Sequence, residues 1–390
     1  MIFSDFHGKK ISQLGFGTMR FPTDPDTGLI DEVKTEAMLD AAIKAGVNYF
    51  DTAWPYHSGK SETVTAKLLK KYPRDSYYLA TKYPGHQVSD RYDPADIFEQ
   101  QLQKCDVDYF DFYLLHNVNE NCIDVYKDPR WGIIDYFIEQ KRLGRIRHLG
   151  FSTHGGVEMI CSFIEEYGEH MEFCQIQFNY LDDTLQNARE KYDLLTAHGI
   201  PVWVMEPVRG GKLANLTDGI ENTMRALRPD ESTAAWAFRW LQQFPNVAVI
   251  LSGMSSLEQV TDNLNTFNNH YPLNGKELAL LEGIAEGMKS SLPCTACRYC
   301  TDGCPAEIDI PYMISLYNEL SVFPSVTASM RLENIPEDRL PSACISCGQC
   351  TSICPQSIDV PEALSKLDSI IKKLPKWTDI CRERAAAQQK

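Results

Sequence analysis

A chain of 390 residues with 43% hydrophobic and 23% charged side chains can bury a sizeable core and is not a disordered polymer. Its formal net charge of -15 argues against nucleic acid or an anionic membrane as the main partner, because both select basic faces. No basic stretch runs into an apolar one at the amino terminus and no run of about 18 apolar residues occurs, so neither signal peptide nor membrane insertion is expected, and a cytoplasmic location is.

Residues 1 to about 20 predict a hairpin and then a first strand, closed by Gly15, Phe16, Gly17, Thr18 and Met19. That glycine-rich turn lacks the spacing of a dinucleotide fingerprint. A helix over 32–45 stops at Gly46, and a strand restarts at Val47. The same transition, a helix closed by a left-handed glycine and followed by a strand, recurs at Gly144 and Gly199. Further helices are predicted near 60–71, 94–105, 131–142, 155–167, 184–197, 231–243 and 256–266. Strands are predicted near 77–82, 109–115, 146–150, 173–178, 201–205 and 247–251. With the strands ending near 17 and 50, eight strand–helix units span about 270 residues, the usual size of a (β/α)8 TIM barrel. Alternation alone also fits an open doubly wound sheet. Polar residues at many separate strand ends favour the barrel.

Near 270 the pattern changes. A turn cluster at His270–Gly275 leads to a helix near 276–288, and a domain boundary is expected at 285–293, dividing 1–285 from 286–390. The second part reads as a small, mainly α-helical domain. Helical spacing appears at 310–319 and 361–372, each with an early proline. Residues 382–390 are polar and expected to fray.

Three of the early strands end on chemistry. Val47–Phe50 runs into Asp51, with Tyr56 in the loop beyond; the next ends on Lys82, and the third on His116. A phenol near its reference pKa of about 10 is a poor acid at neutrality, and a neighbouring ammonium draws that value down. Lys82 can supply the charge, Asp51 can hold Lys82, and His116 can donate a hydrogen bond to a carbonyl oxygen. Each residue alone has an ordinary structural use, as cap, solvated cation or packed ring. Together they would move a proton to or from an alkoxide, with neither nucleophile nor metal.

Asp51, Thr52 and Ala53 with Tyr56, Ala80 to Lys82, and Leu114 to His116 resemble the motifs of the aldo/keto reductases, and residues 10 to about 268 follow that pattern, including Gly59, Ser61 and Glu62. The resemblance implies a barrel binding NADP(H) or NAD(H), with Tyr56 as proton donor, Lys82 and Asp51 as its tuners and His116 as carbonyl orienter. It implies cofactor contacts at Gly17, Thr18, Met19 and Asp51. Ser152, Thr153 and Gln175 would lie at the nicotinamide amide. Met205, Pro207, Val208, Gly210 and Lys212 would line the ring and the pyrophosphate loop, and Gly253, Ser255, Gln259 and Asn263 the adenosine phosphate. Three positions depart from the family: Met205 replaces the stacking aromatic, Thr153 the common Asn, and Gln259 the arginine that grips a 2′-phosphate. Trp54, Trp131 and Tyr83 are candidates for the substrate wall, with plain packing equally open, and the loop from Asn117 to Asp128 is a further candidate.

Thirteen cysteines include two tight groups, Cys294, Cys297, Cys300, Cys304 before Pro305 and Cys344, Cys347, Cys350, Cys354 before Pro355. Both read C-x2-C-x2-C-x3-C-P, the bacterial ferredoxin run, in which the fourth cysteine serves the other cluster. Two [4Fe-4S] clusters follow: one on Cys294, Cys297, Cys300 and Cys354, the other on Cys344, Cys347, Cys350 and Cys304. A zinc site would need paired cysteines without the third and fourth members. The spacer holds Pro324, Pro336 and Pro341 and resembles helical ferredoxin domains. Cys105, Cys122, Cys161, Cys174 and Cys381 read mainly as core filler.

The expected protein is therefore a nicotinamide-dependent enzyme interconverting a small-molecule carbonyl and an alcohol, with clusters that serve electron transfer to or from a redox protein. Hydride chemistry moves electrons in pairs and clusters move them singly, and the chain has no flavin fingerprint to join the two. An alternative is an electron-transfer or redox-sensing adaptor whose barrel binds nucleotide with little turnover, and a third is a cluster that only staples a small domain.

Overall fold

The structure, a computed structural model, describes all residues except 88, 289–291, 293, 295–297, 299, 302, 323–325, 355 and 389–390. It opens with an antiparallel hairpin, Phe3–Phe6 (β1) and Lys9–Ser12 (β2). Eight strands follow: Leu14–Gly17 (β3), Tyr49–Asp51 (β4), Tyr78–Tyr83 (β5), Phe110–Leu115 (β6), Ile146–Thr153 (β7), Cys174–Gln177 (β8), Val202–Met205 (β9) and Val247–Gly253 (β10). Each is parallel to its neighbours, and β10 pairs back to β3, which closes the barrel and rules out the open sheet.

The intervening helices are Glu32–Lys44 (α1), Ser61–Leu69 (α2), Pro94–Cys105 (α3), Ile123–Lys127 (α4), Ile133–Arg142 (α5), Val157–Tyr167 (α6), Asp182–Leu185 (α7), Ala188–Ala197 (α8), Asp218–Leu227 (α9), Thr233–Leu241 (α10), Leu257–Asn268 (α11) and Gly275–Met288 (α12). Two were not foreseen. α4 is too short to show a period. α9 does carry helical spacing, at Ile220, Met224 and Leu227, although it buries only Met224. The glycine stops form as expected: Gly46, Gly144 and Gly199 all have positive φ. In each, the glycine N–H and the next residue's N–H bond back to the last turn, as in Val47 to Ala42, Arg145 to Gln140 and Ile200 to Leu195.

The barrel interior is aromatic. Tyr49, Phe112, Phe173 and Trp203 fill it, and Phe6 from the hairpin plugs the amino-terminal end with its ring 5.1 Å from that of Trp203. Ser4 pins the hairpin by donating to the Ala248 carbonyl at 2.8 Å, near the start of β10. At the same end His148 Nδ1 and Glu172 Oε2 lie 2.7 Å apart, and Lys141 Nζ lies 2.5 Å from the other Glu172 oxygen. Burial would raise the Glu172 carboxyl, but His148 and Lys141 outweigh it and hold it at about 2. A depressed carboxyl contributes stability above its unfolded value and loses it as pH falls toward the folded one. We therefore expect Glu172→Gln to lower stability by roughly 1–3 kcal/mol at pH 7. The difference from wild type should vanish in melts taken from pH 5 down to 2.

The chain divides into two compact units. The first holds Met1–Asp183, Asn187–Leu280 and Arg384–Lys390, the second Thr184–Gln186 and Leu281–Glu383, so one break falls within α12 and another within the last helix. The second unit contains Ile310–Val322 (α13), Val326–Leu332 (α14), Gln349–Ile353 (α15), Val360–Ile371 (α16) and a helix beginning at Trp377 (α17, Trp377–Gln388). Among the described residues beyond 294 no strand forms. Of the stretch expected to fray, the described residues continue α17 to Gln388. Pro361 occupies the first turn of α16, where its missing N–H costs nothing, and the Asp359 side chain caps that helix at Glu362 N, 3.1 Å away. α13 and α16 supply a separate apolar core including Ile310, Ile314, Leu320, Leu364 and Leu367.

Candidate active site

Because the eight barrel strands are parallel, their carboxyl ends share one rim. Side chains alternate along a strand, so Lys82 points into the barrel while the next residue, Tyr83, points out. Lys82 is 1% exposed. Its ammonium donates to Asp51 Oδ1 at 2.5 Å and to the Thr52 carbonyl at 2.7 Å, and lies 5.1 Å from the centre of the Tyr56 ring. The His116 ring stands edge-on to Tyr56, with centroids 6.1 Å apart. The structure thus brings Asp51, Tyr56, Lys82 and His116 to one place.

The electrostatics differ from expectation in one respect. Burial pushes the Tyr56 phenol above its usual value, and the Lys82 charge opposes this without overturning it. Burial also works against the Lys82 ammonium, but Asp51 and Tyr56 more than compensate, and the proton stays on the lysine. Burial raises the Asp51 carboxyl against the pull of Lys82. An ammonium in a dry interior is tolerated only with such partners.

On the far side of the rim, Ser152 and Gln175 are register partners on β7 and β8. Both are buried, and Gln175 Oε1 has no protein partner. Ser152 Oγ accepts from Asn117 N at 2.8 Å, which leaves its proton to donate outward. An unpaired buried acceptor beside a hydroxyl donor fits a primary carboxamide such as that of nicotinamide. Thr153 Oγ1 donates to the Val118 carbonyl at 2.6 Å, a structural bond.

Past β10, Asn263 donates to Ser252 Oγ at 2.8 Å, and the side-chain oxygen of Gln259 accepts from Ser255 N at 2.8 Å. Ser256 caps α11, so its amino end and positive dipole face the turn that carries Gly253 and Ser255. Gly17 ends β3; Thr18 is buried against Ser61 at 2.8 Å, while Met19 is exposed. Met205 ends β9 and is half-buried, and the loop beyond it holds Pro207, Val208, Gly210 and Lys212.

Sequence reasoning missed several groups here. Asp182, wholly buried, receives Arg209 Nε at 3.0 Å and the side-chain amides of Gln177 and Asn179, each at 2.7 Å. Asn179 also donates to the Glu206 carbonyl at 3.0 Å, so this network fixes the loop after β9, where Glu206 and Arg209 have positive φ. Arg20 lies across Gly253 and extends to Gly210 and to Glu206, 3.7 Å away. His86 packs its ring 4.3 Å from that of His116. No spacing rule links these loops; only closure of the barrel does. Two wall candidates moved elsewhere. Tyr83 is core, packed 5.1 Å from Phe137, and the Trp54 ring takes the Lys104 ammonium at 3.4 Å. Trp131 meets Tyr92 at 5.7 Å. Within the 117–128 loop, Asn117 and Asn119 are buried.

In the second unit Cys304, Cys344, Cys347 and Cys350 line one cavity with Ile310 and Leu364. Among the described residues no His, Cys, Asp and Glu side chains group tightly enough for a single ion. Thiols spread around a cavity suit a multi-iron cluster, whose irons each take one thiolate. Cys294, Cys300 and Cys354 pack partly buried against the same apolar core. Cys297, Pro324 and Pro355 lie outside the described residues. Of the remaining cysteines, Cys105, Cys122, Cys174 and Cys381 are buried and Cys161 is half-buried.

Comparison with known proteins agrees with this architecture. Residues 13–286 match the model of the aldo/keto reductase family, and residues 293–358 match a 4Fe-4S dicluster domain. The chain is 27% identical to an uncharacterised oxidoreductase, YqkF, of Bacillus subtilis, over 66% of this chain and 88% of that one. It is 25% identical to an NADH-specific methylglyoxal reductase of Escherichia coli, over 72% and 96%. Among solved structures, the holo form of an aldo-keto reductase from Bacillus halodurans aligns with a TM-score of 0.56 at 27% identity, over 71% and 93% of the two chains. An aldo-keto reductase from Klebsiella pneumoniae in complex with NADPH shares the fold, with a TM-score of 0.58 at 22% identity over 73% and 96%. With the family model covering most of the chain, this protein belongs to the aldo/keto reductase family of oxidoreductases and carries a 4Fe-4S dicluster domain at its carboxyl-terminal side.

Proposed function

We propose that the barrel interconverts a small carbonyl compound and its alcohol with a nicotinamide cofactor. The observation that carries this is the buried Lys82 ammonium held between Asp51 and Tyr56 at the carboxyl end of the strands. When bound, the nicotinamide supplies or accepts the hydride. Tyr56 gives its proton to the developing alkoxide oxygen, or takes it back in the reverse direction. Lys82 stabilises the phenolate left behind, and Asp51 keeps Lys82 in place. His116 donates a hydrogen bond to the substrate oxygen and orients it. Ser152 and Gln175 hold the carboxamide, and the amino end of α11 with Ser255 and Asn263 faces the adenosine phosphate.

Gln259 carries no charge and is tied to Ser255 N, so it offers a 2′-phosphate no cation. We accordingly read NADH as accepted at least as well as NADPH, which the ratio of kcat/KM for the two would measure. The cysteine-rich unit carries two [4Fe-4S] clusters, on Cys304, Cys344, Cys347 and Cys350 and on Cys294, Cys297, Cys300 and Cys354. They pass single electrons to or from a protein redox partner. The cavity lined by four thiols supports the first assignment.

The test is anaerobic NADH or NADPH oxidation with methylglyoxal and a panel of aldehydes. Tyr56→Phe should lower kcat by about a hundredfold to ten-thousandfold, since a positioned acid contributes that much. Cofactor affinity should be retained. A phenylalanine variant that reduces aldehydes as fast as wild type would end this reading.

A further inference from the structure

The turn that carries His116 is held from outside the barrel. β6 ends at Leu115, so the His116 carbonyl lies beyond the named strand. The Tyr126 hydroxyl, from α4, donates to it at 2.7 Å and also lies 3.2 Å from the Tyr83 carbonyl. His116 N donates to that same Tyr83 carbonyl at 3.1 Å. Tyr126 is wholly buried, and burial keeps its phenol protonated, so it acts as the donor. The next carbonyl, Asn117, receives the Asn119 amide at 2.6 Å and lies 3.2 Å from Cys122 Sγ. Asn117 itself has a φ of 57° and passes its N–H to Ser152 Oγ. Tyr126 of α4 therefore ties the end of β5 to the turn after β6, and that turn reaches Ser152 through its own Asn117 N–H.

We propose that Tyr126 is a positioning residue for His116. Its hydroxyl spans the carbonyls beside Lys82 and at His116, and so sets where the imidazole stands over Tyr56. Losing the hydroxyl takes a donor away from the part-buried His116 carbonyl, and the turn relaxes in response. A shift of about 1 Å at a group that orients substrate is enough to cost roughly a hundredfold in rate. This proposal rests on reading His116 as the carbonyl orienter.

Tyr126→Phe keeps the ring and its packing and removes only the hydroxyl. In the cluster-replete protein it should lower kcat/KM for methylglyoxal about ten- to hundredfold. Affinity for NADH, followed by fluorescence quenching, should fall far less than kcat/KM, because the Tyr126 hydroxyl itself bonds to neither Ser152 nor Gln175. Acting through His116 makes a sharper demand: His116→Ala with Tyr126→Phe should be no slower than His116→Ala alone. Losses that multiply would show a merely structural tyrosine and overturn the proposal. Gly85→Ala is an independent probe, since a Cβ there would sit 2.7 Å from the Tyr126 ring and push it off the carbonyl. It should reproduce the Tyr126→Phe defect, and wild-type kinetics from it would count against the proposal. Histidine-labelled NMR gives a readout that needs no turnover. The His116 ring signals, assigned by their loss in His116→Ala, should move in Tyr126→Phe, and unmoved signals would overturn the proposal. Absence of carbonyl reduction in the wild type would instead fall on the functional reading, with the NMR arm still deciding the position.

Discussion

Lys82→Met is expected to lose stability and turnover together. The lysine is fully buried, bound to Asp51 and to the Thr52 carbonyl, and Asp51 Oδ2 has no other protein partner. Removing the cation strands a carboxylate in a dry interior. Breaking one side of a buried pair costs about 3–5 kcal/mol, more than the loss of a surface bridge. Asp51→Asn combined with Lys82→Met should recover part of that stability, since no unpaired charge remains, and none of the activity. Denaturant melts and NADH oxidation on the three proteins separate the two effects. A Lys82→Met protein that melts like wild type would contradict the ion-pair account.

The pH dependence follows from the same pair. With Tyr56 as the proposed proton donor, and with burial holding that phenol above its ordinary value, kcat/KM should stay flat through neutrality and fall only on the alkaline side. Lys82 is the group that opposes the rise. Its removal should move any residual alkaline limb still higher, and a limb that moved down would refute the assigned direction.

The second large effect is expected at Cys350. It is 9% exposed, shares the cavity with Cys304, Cys344 and Cys347, and packs in the core with Leu364 and Leu367. Cys350→Ala should reduce bound iron by about half, the content of one of the two four-iron clusters proposed. It should also give the second unit an early melting transition, because metal binding free energy is folding free energy in small metal-containing units. Aldehyde reduction by the barrel should persist, as none of the groups proposed for that chemistry belongs to this unit. Electron transfer to viologen dyes should fall. Full iron content in Cys350→Ala would remove this residue from the ligand set. Unchanged dye reduction with halved iron would point to a stapling role for that cluster.

Much of this was readable before any coordinate. The alternation of strands and helices, the glycine stops at 46, 144 and 199, and the strand ends at Asp51, Lys82 and His116 are local signals, each contained in a few consecutive residues. The cysteine groups are local too, because cluster ligation sets the spacing of thiols along the chain. The misses differ in origin. α4 is shorter than the window in which a period can be seen, whereas α9 does carry a period, at Ile220, Met224 and Leu227. The placing of Tyr83 as core and of Trp54 against Lys104 depended on which way each side chain turned at the rim.

By itself the sequence pointed to the kind of chemistry: which strand ends carry Asp51, Lys82 and His116, and which cysteines come in fours. Tertiary structure alone decided how those groups are tuned and held. Burial raises the Tyr56 phenol despite Lys82, Asp182 braces the loop after β9, and Tyr126 clamps the turn at His116. The reason is that a strand's pattern is written in neighbouring residues, whereas desolvation and cross-loop hydrogen bonds exist only once eight parallel strands close and bring distant loops onto one rim.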